Sequence, residues 1–293
     1  MVDLLVQSIL SAEPDEVSML FLLHYIHCAG GVDPLATVKG GGQEQRFVRG
    51  AQELSSRMAE RLGDRVVLEC PAEAIEHSPQ GVTVKSGSST WSGSCALITA
   101  PPPVAARIPM IPALPDDRLE RMRSTKMGDT LKCLLLYGSP FWRDKGFSGE
   151  TISHSGSITF GFDNTSHDGN QAGLVAFVTG ARARALRLRG HERVREQIVS
   201  ELARYWGEEA RHVEHFEVED WSTEPWSGGG PTGYAPPGTL TTADVRLAAP
   251  LEPLFFAGTE TATQWCGFME GAVSSGERAA REIEQYLTRQ ESR

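Results

Sequence analysis

The 293-residue chain has little of what usually narrows a function quickly. It holds only five cysteines (Cys28, Cys70, Cys95, Cys133 and Cys266), far apart and without C-x-x-C spacing, so neither a disulfide framework nor a thiolate metal knuckle is written into it. The odd count leaves at least one thiol unpaired in any scheme, which fits a reducing compartment. No apolar run approaches the ~20 residues that a membrane-spanning helix needs, and the opening MVDLLVQSIL has Asp3 where a secretory leader carries positive charge. These features point to a cytoplasmic protein without a membrane partner. Positive charge is also short. With 28 Lys and Arg against 38 Asp and Glu, the formal net charge of −10 argues against a nucleic-acid partner and favours small molecules.

What is present is a globular composition, 40% hydrophobic and 23% charged, enough for one large domain or two smaller ones. The segment AEPDE, with Pro14 in a first turn, predicts a helix through MLFLL that stops at Gly30-Gly31. Leu54, Met58 and Leu62 at spacings of four, followed by Gly63, predict a second helix. RVVLE, GVTVKSG and ALITAPPP read as short strands, the last halted by its prolines, and DTLKCLLLYG and GLVAFVTG read as buried strands. Val194, Ile198 and Leu202 predict a helix between His191 and Trp206, and HVEHFEVEDW a strand running into a loop. That loop, STEPWSGGGPTGYAPPGTL, has two tryptophans among its Gly and Pro, unusual for a plain connector. The fold class is a mixed α/β or α+β one. His24, His27 and Cys28, at i, i+3 and i+4, are expected to be packed side chains rather than metal ligands.

The stretch FFAGTETATQWCGFMEGAVSSGERAAREI, from Phe255 to Ile283, carries the most chemistry. Leu254 to Ala257 form a short buried strand, and Gly258 ends it with a backbone that a ligand can approach closely. Thr259 and Glu260 follow as polar groups at the strand end. A helix starts at Met269, with Ala272, Gly276, Ala280, Ile283 and Leu287 expected as its packing face. Free amides in its first turn attract negative charge, worth up to about 1 kcal/mol from the dipole. A redox ring that gains charge on reduction suits such a corner, and so does plain strand–turn–helix packing. The residues alone leave both open.

This stretch resembles the C-terminal flavin-binding signature of the flavin-dependent amine oxidases, above all the monoamine oxidases. GGQEQRFVRGAQELSSRMAERLGDRVVLE, LKCLLLYGSPFWR and WSGGGPTGYAPPGTL resemble further family segments in the family's order, so the likeness covers nearly the whole chain. It implies the C-terminal part of a two-domain FAD-dependent fold. On that basis 1–46 would be the helical part of a substrate domain and 47–103 a partial FAD-binding domain. Residues 104–220 would form a substrate domain with a mixed sheet, and 221–293 the C-terminal FAD-binding segment and final helix. The implied reaction passes a hydride equivalent from an amine's α C–H to flavin N5. The resulting imine hydrolyses, and oxygen reoxidises the flavin to give hydrogen peroxide. By the same resemblance Lys132 holds a water near N5, Gln43 faces the substrate and Trp221 packs by the flavin. Gly258, Thr259, Glu260, Gly267 and Met269 surround the ribityl chain and pyrimidine edge, and Ala72 contacts the adenine through its backbone. On residues alone Gln43 suits a solvated loop equally well.

Three departures qualify this expectation. Gly230 stands where the covalent members carry the cysteine that bonds the flavin, so a noncovalent FAD is expected. Of the two tyrosines that steer the amine, one matches Phe268 and the other falls on Pro231; half the aromatic cage is missing, and polyamine and amino-acid substrates stay open. The family's N-terminal G-x-G-x-x-G fingerprint has no copy ahead of this chain's first segments. The literal match at Gly228–Gly233 follows no apolar strand, contains Pro231 and precedes YAPPG rather than a helix. The expectation is therefore either part of a truncated or split amine oxidase, with an N-terminal dinucleotide-binding half or a second copy as partner, or a catalytically silent remnant that acts as an interaction module.

Overall fold

The alternation in TLKCLLLY builds the core of one half of the protein. The computed structural model describes residues 2–38, 40–241 and 247–292. It divides into two units, Met1–Val17 with Met127–Tyr234, and Ser18–Lys126 with Ala235–Arg293. In the first, the strand Thr130–Tyr137 buries Leu131, Cys133, Leu135 and Tyr137, while Lys132, Leu134 and Leu136 on its other face are half-buried. It lies in a five-stranded antiparallel sheet, in the order His215–Asp220, Thr130–Tyr137, Ala172–Thr179, Phe160–Asp163, Thr151–Ile152. The buried face meets Val194, Ile198, Leu202 and Trp206 of the helix His191–Trp206, which appears where the spacing of four predicted it. Gly190 and Gly207, both at positive φ, bound that helix.

The second unit holds a four-stranded sheet in the order Ser89–Gly93, Gly81–Ser86, Ala74–Ser78, Met110–Ile111, and a separate parallel pair, Ala96–Ile98 with Leu254–Phe256. Ile75, Val82, Ile98, Leu254 and Phe256 share its core with Ala105, Leu114 and Met122. The C-terminal helix runs Met269–Glu291. No helix among the described residues is long and apolar enough to cross a membrane.

Several expectations need correction. The first predicted helix begins at Met19, not in the Pro14 turn: Pro14–Glu16 is a separate 3-10 turn, and Val17 and Ser18 are extended. A helix at Val2–Leu10 precedes both. The glycine stop does hold, because Gly30 N–H donates to His27 O and Gly31 N–H to Ile26 O, the pair of hydrogen bonds that ends a helix on a left-handed residue. RVVLE forms no strand; Val67 and Leu68 are exposed, without a ladder partner among the described residues, and β-propensity without a neighbour makes no strand. The helix Gln52–Leu62 forms as predicted but buries none of its residues, leaving Met58 57% and Leu62 47% exposed. His24 and His27 are exposed rather than packed, and Cys28 is buried with its Sγ 3.4 Å from His24 Nε2. The C-terminal helix packs through Gly271, Ser275, Ala279 and Tyr286. The stripe Ala280, Ile283 and Leu287 instead lines an open groove with Leu97. The buried face is one residue further round because Ser275 and Arg278 must reach the strand end beside them.

Candidate functional site

The corner after Ala257 is held from behind by the helix that follows it. Gly258 sits at φ +119°, a region L side chains avoid, and a Cβ there would lie 3.4 Å from Thr99 O. Gly258 N–H donates to Ser275 Oγ at 3.0 Å, and Thr261 Oγ donates back to Gly258 O at 2.8 Å. Arg278 donates to Phe256 O at 2.7 Å and to Thr261 Oγ1 at 3.2 Å, so the last strand residue and the turn hang from one guanidinium. Thr259 Oγ1 donates to Phe268 O at 2.9 Å, tying the turn to the residue that precedes the helix. Phe268 offers no side-chain cap to the Met269–Glu291 helix, and Glu270 places an acidic side chain in its first turn. Met269 is exposed and Gly267, at φ +84°, supplies the tight bend before it.

Beside this corner the aromatic wall is built from Phe268, Trp265 and Tyr25. Phe268 meets Trp265 edge-on at 5.2 Å between centroids and Tyr25 at 6.4 Å. Gly42 closes it: a Cβ there would come within 2.9 Å of Phe268 and 3.2 Å of Trp265. Only a glycine lets the segment with Gln43 approach so near, and Gln43 itself is exposed. Cys266, buried in the same turn, has its thiol pushed up to about 12 by burial, with Glu260 and Cys28 adding to it, so it stays protonated and unreactive at neutral pH. Ala72, half-buried, precedes the strand Ala74–Ser78. Of the residues expected in the site, the second unit thus brings together Gly258, Thr259, Glu260, Gly267, Phe268 and Met269, with Gln43 next to the glycine that touches the wall.

Lys132 and Trp221 belong to the first unit. Lys132 projects from the half-buried face of its strand, its Nζ 6.0 Å from the Phe177 ring centroid, with Glu219 as its cross-strand neighbour. Phe160 stacks on Phe177 at 4.6 Å and Phe162 lies 5.6 Å from Phe160, so that face carries an aromatic trio around the lysine. The trio escaped the sequence reading, although the period-two aromatics in TFGFD signal it. Trp221 opens a 3-10 turn, Trp221–Thr223, at the end of the strand His215–Asp220 and is 41% exposed. A Cβ at Gly230 would stand 3.7 Å from the Trp221 Cβ, so the tryptophan rests against the glycine loop. Among the described residues no group of three His, Cys, Asp or Glu side chains is placed to hold a metal.

A buried strand that ends in a positive-φ glycine and is braced by the following helix is a strand–turn–helix corner of an α/β protein, a construction open to a cofactor and to plain packing alike. Comparison with known proteins narrows the class. The family model described as flavin containing amine oxidoreductase matches residues 1–284. The chain is 38% identical over 278 residues to amine oxidase (flavin-containing) A of Sus scrofa and 37% identical over 285 residues to amine oxidase (flavin-containing) B of Homo sapiens. These matches cover 93% and 96% of this chain but 53% and 55% of the relatives. Among solved structures, cyclohexylamine oxidase from Brevibacterium oxydans IH-35A superposes with a TM-score of 0.92 at 31% identity, and an A394C mutant of putrescine oxidase with 0.93 at 28%. The superpositions cover 98% and 97% of this chain and 64% of each neighbour. The protein belongs to the flavin-containing amine oxidoreductase family, whose cofactor is FAD, and it spans about half the length of the curated relatives it matches.

Proposed function

We propose that this chain supplies the substrate side and the flavin-ring wall of an amine oxidase that converts an amine to an imine and releases hydrogen peroxide. The observation that carries the reading is the Gly258 corner: a positive-φ glycine pinned by Ser275 and Arg278 beside amides left without a side-chain cap. Bound there, the flavin would accept the hydride equivalent of the amine's α C–H. Around it Thr259, Glu260, Gly267 and Met269 would hold the ribityl chain and pyrimidine edge, Ala72 the adenine, and Trp221 would pack by the flavin. Lys132 would orient a water and add a positive charge that favours reduced oxygen species electrostatically. Phe268, fixed edge-on by Trp265, would present a ring face to a cationic or apolar amine, with Gln43 supplying a hydrogen bond. With Gly230 in place of a nucleophile, the FAD would be held noncovalently.

The test is the visible spectrum of the purified chain with added FAD, alone and co-expressed with a polypeptide covering the part of its relatives that this chain does not span. Acid precipitation should leave the yellow colour in the supernatant, whereas a yellow pellet contradicts the Gly230 reading. Peroxide release with cyclohexylamine, putrescine, arylalkylamines and amino acids then selects the substrate class. A second reading, a silent interaction module, is favoured by one observation, the open groove of Leu97, Ala280, Ile283 and Leu287. Colourless protein that captures a partner through that groove without binding FAD would establish it.

A further inference from the structure

We propose that Arg187 is a positioning residue for Trp221, clamping the turn that carries it against Gly230. The inference rests on the flavin-side role proposed above for Trp221. A 41% exposed indole at the head of a three-residue turn is not fixed by burial, so its orientation must come from its neighbours in the chain. Both are held by one guanidinium. Arg187 Nε and Nη2 donate to the two carboxylate oxygens of Asp220, the residue before Trp221, the second at 2.9 Å. Nη2 also donates to Oγ of Ser222, the residue after it, at 2.7 Å. Ser222 N–H closes the loop on Asp220 Oδ1 at 3.2 Å.

The clamp is itself anchored. Arg187 Nη2 and Ser222 Oγ both donate to Asp129 Oδ1, at 3.0 and 2.8 Å, and Arg184 donates to Asp129 Oδ2 at 2.9 Å. Asp129 N–H donates to Ser11 O at 2.8 Å and its carbonyl accepts Gly180 N–H at 3.0 Å. Its chain neighbours hold the surface on which Trp221 rests. Gly230 N–H donates to Gly128 O at 2.9 Å, and Thr130 Oγ1 donates to Gly230 O at 2.8 Å. Gly128 and Thr130 therefore hold Gly230, and Arg187 and Ser222 tie the residues on either side of Trp221 to Asp129 between them. A planar fork is what this needs, because Nε–H and the two Nη2–H groups, one of them shared between acceptors, point in set directions. A lysine would keep the charge and lose the geometry.

Fluorine NMR of the full chain labelled with 5-fluorotryptophan tests this without flavin. The chain has six tryptophans, and the Trp221 resonance is assigned by its loss in Trp221→Phe. In Arg187→Lys the Trp221 line should shift and narrow as the indole gains mobility, with the other five unchanged. Ser222→Ala should give a smaller change in the same direction. An unmoved Trp221 line in Arg187→Lys, whatever happens to the melting temperature, overturns the proposal. Arg187→Ala serves as the larger perturbation and, if it fails to fold, the other two variants still decide. In an FAD-loaded, turning-over enzyme, Arg187→Lys should lower kcat several-fold with KM for the amine within twofold, and an equal rise in KM with kcat unchanged would count against it. If Trp221 is released in Arg187→Lys but no variant or wild type binds FAD, the clamp stands and the oxidase reading falls.

Discussion

Gly258 shows how much one residue can be asked to do. Its φ of +119° means that a methyl group brings backbone strain, although Thr99 O at 3.4 Å would leave the Cβ room. Gly258→Ala should cost about 1–3 kcal/mol in denaturant unfolding, and a loss below ~0.5 kcal/mol would show that the corner relaxes freely. Asp129 makes the electrostatic case. Burial pushes its carboxyl up, but hydrogen bonds from Arg184, Ser222 and Arg187, with the Arg187 charge, outweigh that and hold it below the ordinary value of 3.8. A carboxyl depressed in the folded state adds stability that is fully present above its unfolded pKa and is lost as pH falls through the folded one. Asp129→Asn should therefore melt lower than wild type at pH 7, and the gap should close as the pH is taken below 3.8. A gap that stays constant through that acid window would mean the carboxylate charge is not what the network uses.

At the scale of elements, the C-terminal helix separates what packs from what waits. Ala279 is fully buried, and Ala280, one residue round, lines the groove with Leu97. Ala279→Asp should cost several kcal/mol, because an unpaired charge is driven into the packed face. Ala280→Asp should stay within about 0.5 kcal/mol in the chain alone yet weaken docking of whatever covers the groove. Thermal melts, and pull-down by the complementing polypeptide, read the two effects separately. The span His191–Trp206 and the start at Met269 were legible in the sequence, since both follow from residue spacing and flanking residues. The buried face of the second was not. Its small-residue stripe reads as a packing surface, but the hydrogen bonds of Ser275 and Arg278 to the strand end turn a different face inward. RVVLE failed for a related reason: a strand is a pairing, and its residues find no ladder partner among those described.

For the molecule as a whole, the parallel pair Ala96–Ile98 with Leu254–Phe256, the uncovered Met58 and Leu62, and the open groove are consistent with surfaces built for neighbours. Made alone, the chain should associate or dissolve poorly, and co-expression with the part its relatives have beyond it should restore a discrete species by size exclusion. A monodisperse monomer with a cooperative melt would contradict that. The sequence by itself determined the glycine at the corner and the alternation that makes TLKCLLLY a buried strand, because these depend on local spacing and on residue types that only a few conformations accept; the family came through resemblance to known amine oxidases. The tertiary structure alone decided which helix face is buried, that Gly42 lets the wall of Phe268 and Trp265 close, and that Arg187 reaches Asp129 and Asp220. Those contacts join residues tens to hundreds of positions apart, and no local pattern encodes a hydrogen bond whose two ends meet only after the chain has folded.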